Sequence, residues 1–125
     1  MSNQDVKILA VDDHRAFREA LRDLIAAAPG FVLVGQACSG EEALRAVDAL
    51  APELVLMDVV MPGMGGIAAT QAILTRRPGV VVVLVSVDDP GLHPDASALG
   101  DAVVCARKQD LRPAQLRQLW ETHRG

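Results

Sequence analysis

The chain has 125 residues, half of them apolar and 22% charged, with a formal net charge of −4. That length suits one domain around one core, and the balance excludes a disordered chain, a nucleic-acid footprint and a membrane span: no lysine- or arginine-rich block appears, and no apolar run approaches bilayer length. The polar start "MSNQDVK" lacks a signal peptide's apolar stretch, so a cytoplasmic location and no membrane partner are expected, and two cysteines are too few for a disulfide scaffold.

The first apolar run is Val6 to Val11, "VKILAV", which stops at Asp12, Asp13 and His14. Residues 1–5 ahead of it are expected to be flexible. Phe17, Leu21, Leu24 and Ala28 then repeat as one helical stripe, and Pro29-Gly30 ends it. The second strand run is Phe31 to Ala37. Ser39 and Glu42 resemble a capping box ahead of a stripe of Ala43, Leu44, Val47 and Leu50, which stops before Pro52. The third run, Glu53 to Met57, leads to Asp58, then to the turn Met61-Pro62-Gly63 and the pair Gly65-Gly66.

Pro78-Gly79 marks the next stop, before a fourth run, Val80 to Ser86. The segment "DDPGLHPDASALG", residues 88–100, holds two prolines and two glycines, so a fourth helix there is regular only around Asp95 to Leu99. The fifth run is Ala102 to Ala106, followed by Arg107 and Lys108. Asp110 and Pro113 open a last helix striped by Leu116, Leu119, Trp120 and His123. With Phe17, Phe31 and Trp120 the only aromatics, the core must come from Val, Leu, Ile and Ala.

Short, β-branched, continuously apolar runs alternating with helical stripes predict an α/β fold. It is a doubly wound (βα)5 unit with a five-stranded parallel sheet, one domain over residues 1–125. Ligands of such sheets sit outside the carboxyl ends of the strands. Those ends carry Asp12 and Asp13, Asp58, Ser86, and Arg107 with Lys108. Carboxylates sharing one crevice resist joint ionisation unless a cation joins them, and an all-oxygen set favours Mg2+, Mn2+ or Ca2+ over zinc. A phosphoryl group could then be held between metal, lysine and hydroxyl, with a carboxylate as nucleophile.

The stretches "ILAVDDH", "LVLMDVVMPGMGG", "VVLVS" and "ARKQD" resemble the receiver domain of bacterial response regulators in two-component signalling, most of all the branch with LuxR-type output domains. The likeness covers nearly the whole chain and implies the flavodoxin-like strand order 2-1-3-4-5. It implies Asp58 as phosphoacceptor from a sensor histidine kinase or phosphotransfer protein. It implies Asp12 and Asp13 as the Mg2+ pair, with Asp13 bound directly and Asp12 largely through water; Mn2+ could replace Mg2+. Asp58 and the Val60 backbone carbonyl complete that metal set, and Ser86 and Lys108 are the hydroxyl and lysine that meet the phosphoryl group. Such a module changes its surface around the fourth and fifth helices to control an output protein, self-associates in some cases, and catalyses only its own phosphorylation chemistry.

Four departures matter. Cys105 stands three residues before Lys108, where the family carries Tyr or Phe, so the usual coupling through an inward-swinging ring is missing. Gly100 precedes Lys108 by one residue more than usual, which raises Arg107 as a rival; the "KQD" start and the compact charge of lysine favour Lys108. Gly65 replaces a frequent Asp, which bears on the start of the helix more than on chemistry. The sequence holds no helix-turn-helix segment after the last helix, so no output domain is expected within it.

Blander readings stand beside these. Asp12-Asp13 alone reads as a turn or cap, His14 as an exposed first-turn histidine rather than a ligand, and Ser86 as a capping hydroxyl. Met57, Met61 and Met64 read as packing, and Trp120 as core or partner contact. The alternative function is a phosphorylation-independent receiver that binds a partner constitutively. A phosphatase is disfavoured because no cap segment could enclose a substrate. In the order 2-1-3-4-5 Cys38 and Cys105 lie at opposite edges, roughly 19 Å apart by strand spacing. A disulfide requires Cα atoms within about 7 Å, so none is expected.

Overall fold

The computed structural model describes residues 5–87 and 103–123. Its strands are β1 (Val6–Val11), β2 (Phe31–Ala37), β3 (Leu54–Asp58), β4 (Val81–Ser86) and β5 (Val103–Arg107). Its α-helices are α1 (Arg15–Ala26), α2 (Gly40–Leu50), α3 (Gly66–Arg76) and α4 (Pro113–His123), with a 3-10 turn at Lys108–Asp110. The last of these is the expected fifth helix. The expected fourth, in residues 88–100, lies outside the described residues, as do residues 1–4 and Ala102.

All five strands pair in parallel in the order β2-β1-β3-β4-β5. Strand alternation splits the core in two. Ile8 and Ala10 of β1 face α1 and α4, joining Leu21, Ile25 and Leu116. Leu9 and Val11 face α2 and α3, joining Ala43, Val47, Ala69 and Ile73. The central strands β3 and β4 are buried throughout. The flanking β2 and β5 are only partly covered, because an edge strand has a neighbour on one side alone. Cys38 and Cys105 are both exposed and are not cross-linked.

The helix starts follow local chemistry with one adjustment. Ser39 Oγ accepts the Glu42 backbone N–H at 3.0 Å, but Glu42 Oε1 returns the bond to the Cys38 N–H at 3.2 Å, one residue earlier than a strict capping box. Pro113 opens α4, where its missing N–H costs nothing. In the α4 stripe Leu116 is buried and Leu119 and Trp120 pack at its margin, while His123 is exposed.

Candidate functional site

Parallel pairing brings the carboxyl ends of β1, β3 and β4 to one side of the sheet. The Asp12 N–H donates to the Ala37 carbonyl at 3.1 Å, and the Val59 N–H to the Val85 carbonyl at 3.0 Å, so the backbone on either side of the crevice is fixed by its neighbours. Asp58 itself pairs in register with Val85, one residue before Ser86. Asp12, Asp58 and Ser86 are all buried at the rim, and Asp13 is partly exposed.

Lys108 leaves the 3-10 turn and reaches into this cluster. Its Nζ stands 2.7 Å from Asp12 Oδ2 and 3.7 Å from Asp58 Oδ1, with the side chain only 12% exposed. Arg107 is exposed; the lysine, not the arginine, turns inward. The Gln109 side chain donates to the Val87 carbonyl at 3.2 Å, which ties the lysine's turn to the segment just after Ser86.

The other ligand-type atoms converge as well. One oxygen each of Asp12, Asp13 and Asp58 and a ring nitrogen of His14 lie within 4.8 Å of one another. The His14 N–H donates to Asp12 Oδ1 at 2.8 Å, and His14 Nδ1 lies 3.1 Å from oxygens of both Asp12 and Asp13. The histidine side chain is mostly exposed, as expected, but it bridges the acidic pair, which the sequence alone does not signal. Asp58 Oδ1 accepts the Val60 N–H at 3.4 Å; Asp58 Oδ2 is buried with no hydrogen-bond partner among the described residues. A buried carboxylate oxygen left open beside two further carboxylates fits a hard divalent cation of the Mg2+ type.

Electrostatics agree with that crowding. The pKa of Asp58 is pushed up from 3.8 to about 6, chiefly by burial and then by the Asp12 charge, against the opposing pull of Lys108 and the Val60 N–H. Asp58 thus holds its proton more tightly than a free carboxyl does.

The glycine pair after the turn is positional. Gly65 caps α3 at φ 76° and ψ 161°, a backbone region essentially reserved for glycine, so the Asp often found there in the family would be strained here. A Cβ on Gly66 would run into the Asp58 carbonyl oxygen. The Thr70 hydroxyl donates to the Gly66 carbonyl at 2.7 Å and holds the first turn of α3 in place. Val60, whose carbonyl is the expected metal ligand, carries a side chain that is 63% exposed. Cys105 lies exposed on β5, paired in register with Leu84.

Phe17 also borders the site, a contact that the sequence does not signal. Its ring lies under the Lys108 ammonium, 4.3 Å from centroid to Nζ. The helical stripe identifies Phe17 as inward-facing but says nothing about which distant residue it meets.

Comparison with known proteins places these features in a family. The model of the response regulator receiver domain matches residues 8–101. Response regulator GacA of Pseudomonas syringae pv. syringae is 46% identical over 87 residues, covering 68% of this chain and 41% of that protein. The chain therefore spans about two fifths of that relative's length. A LuxR-family two-component response regulator from Aurantimonas sp. SI85-9A1 superposes with a TM-score of 0.79 at 32% identity, covering 93% of this chain and 82% of that one. The receiver domain of the response regulator NarL from Mycobacterium tuberculosis superposes with a TM-score of 0.83 at 28% identity, covering 98% of each.

Proposed function

The chain belongs to the response regulator receiver domain family of two-component signalling, and from that premise we propose that it is a phosphorylation-controlled switch whose acceptor is Asp58. One observation carries the reading: a buried Asp58 with an open oxygen, flanked by Asp12 and Asp13 and faced by the Lys108 ammonium. Family membership alone would not require that arrangement to survive in this sequence.

In the proposed reaction a carboxylate oxygen of Asp58 attacks the phosphorus of a kinase or phosphotransfer-protein phosphohistidine. The P–N bond breaks, and the imidazole leaves and takes up a proton. Lys108 neutralises the arriving oxygens, and the Ser86 hydroxyl donates to one of them. Asp13, Asp58 and the Val60 carbonyl would hold Mg2+ or Mn2+, with Asp12 acting largely through water; when bound, the ion neutralises charge on the phosphoryl group. Above pH 6 Asp58 is mainly ionised, as a nucleophile must be.

The output would read a change around the expected fourth helix and α4, which a partner protein or a second copy of the chain would sense. A receiver domain in the cytoplasm, with no chemistry beyond its own phosphorylation and dephosphorylation, fits this role. Among the described residues no helix is long and apolar enough to cross a membrane. The test is incubation with a small phosphodonor: label accumulates with Mg2+ and is absent with chelator. Absence of label under both conditions favours the constitutive interaction module, a reading motivated by the exposed Cys105 where the family has an aromatic ring.

The exposed valine at position 60 should also set the lifetime of the phosphoryl group. An apolar side chain at the open rim disfavours an attacking water, whereas an amide can hydrogen-bond one. Val60→Asn is expected to shorten the half-life of the labelled protein; a half-life equal to or longer than that of wild type would remove the shielding role.

A further inference from the structure

Lys108 is held from three sides: by Asp12 at 2.7 Å, by Asp58 at 3.7 Å, and by the Phe17 ring with its centroid at 4.3 Å. The two carboxylates are the groups that the proposed chemistry alters. Esterification removes the Asp58 charge at one oxygen, and a cation beside Asp12 competes with the ammonium. The ring is the neighbour whose electrostatics stay constant through both states. An aromatic face attracts an ammonium through its quadrupole, more strongly where water is excluded, and the Lys108 side chain is only 12% exposed.

The ring is also well anchored. Phe17 packs against the core cluster shared by α1, α4 and one sheet face. Its neighbour Arg18 donates Nη1 to the Asp12 carbonyl at 2.7 Å, fastening the same turn of α1 to the carboxyl end of β1. One turn of helix thus fixes both Asp12 and the platform under the lysine. Lysine is a compact charge on a flexible stem, so a fixed platform decides where that charge points.

We propose that Phe17 is the positioning residue for Lys108, an aromatic face supplied by α1 that keeps the ammonium aimed at the Asp12–Asp58 crevice before and after phosphorylation. The functional half of this inference rests on Asp58 being the phosphoacceptor; the geometric half does not.

The experiment compares wild type with Phe17→Leu, which keeps apolar bulk and loses the ring face, and with Phe17→Tyr, which keeps the face. In metal-free, unphosphorylated protein, NMR should find the Lys108 ε-methylene protons shifted by the ring current in wild type and Phe17→Tyr, and at ordinary lysine positions in Phe17→Leu. With a small phosphodonor and saturating Mg2+, Phe17→Leu should be labelled more slowly by about 3- to 30-fold, and Phe17→Tyr should restore the rate. Urea midpoints identify a merely structural role, in which rates track stability and the tyrosine gives no rescue; that pattern overturns the proposal. So does an ordinary Lys108 shift in wild type. If wild type takes no label at all, the phosphoacceptor reading fails, and the ring-current result alone decides whether Phe17 positions the lysine.

Discussion

Gly66→Ala is expected to destabilise the protein by about 3 kcal/mol or more, a large share of the roughly 5–15 kcal/mol typical of a domain this size. The added methyl would collide with the Asp58 carbonyl oxygen and lie 2.9 Å from the Val59 Cα. Neither backbone atom can yield cheaply. Asp58 is laddered to β4, the Val59 N–H is bonded to Val85, and the Gly66 N–H itself donates to the Val59 carbonyl at 3.0 Å. The start of α3 must therefore move away, and with it the loop that frames Asp58. Urea unfolding measures the cost, and labelling of the fraction still folded should fall as well. A midpoint within about 1 kcal/mol of wild type would mean that α3 relaxes freely and the close approach is not required.

Asp58→Asn should have the opposite sign. The folded protein holds the Asp58 proton more tightly than the unfolded chain, with a pKa of about 6 against 3.8. A carboxylate shifted in this direction contributes most to stability below the unfolded value, and that contribution is lost as pH rises through the folded one. At pH 7 wild type therefore carries the full cost of a buried charge beside Asp12 and Asp13. Asparagine removes that charge, keeps an oxygen for the Val60 N–H, and adds donors toward the neighbouring carboxylates. The lost attraction to Lys108 offsets part of the gain. The variant is expected to be more stable than wild type by about 1–3 kcal/mol at pH 7 in chelator, with the difference fading near pH 4. Adding Mg2+ should narrow the gap by stabilising wild type. An acceptor strained in its resting state is what a switch that uses charge would need; a variant less stable than wild type at pH 7 would show that Asp58 is satisfied as it stands.

The α/β class and the two-faced core were legible because they follow from periodicity, whereas the strand order followed from the resemblance to receiver domains. Strand ends were less legible. Hydrophobicity ends the third run at Met57 and the fifth at Ala106, yet the ladders include Asp58 and Arg107, since backbone hydrogen bonds continue past the last apolar side chain. The apolar pattern places Val80 in the strand, but its N–H donates to the Arg77 carbonyl in the preceding turn and β4 begins at Val81. At the site, motif spacing was enough to nominate Asp12, Asp13, Asp58, Ser86 and Lys108. It could not reveal the contacts between distant segments: the ring of Phe17 beneath Lys108, the bridge from Gln109 to Val87, or the carbonyl that makes Gly66 irreplaceable. Those depend on how helices settle on the sheet, which periodicity leaves open.

The account's central claim is that Asp58 takes the phosphoryl group. The most direct measurement is to label the protein with a phosphodonor in Mg2+, trap the acyl phosphate by borohydride reduction and map the reduced residue. Modification at Asp58, dependent on Mg2+ and absent from Asp58→Asn, is the predicted result. Modification at another residue, or labelling undiminished in Asp58→Asn, would contradict it.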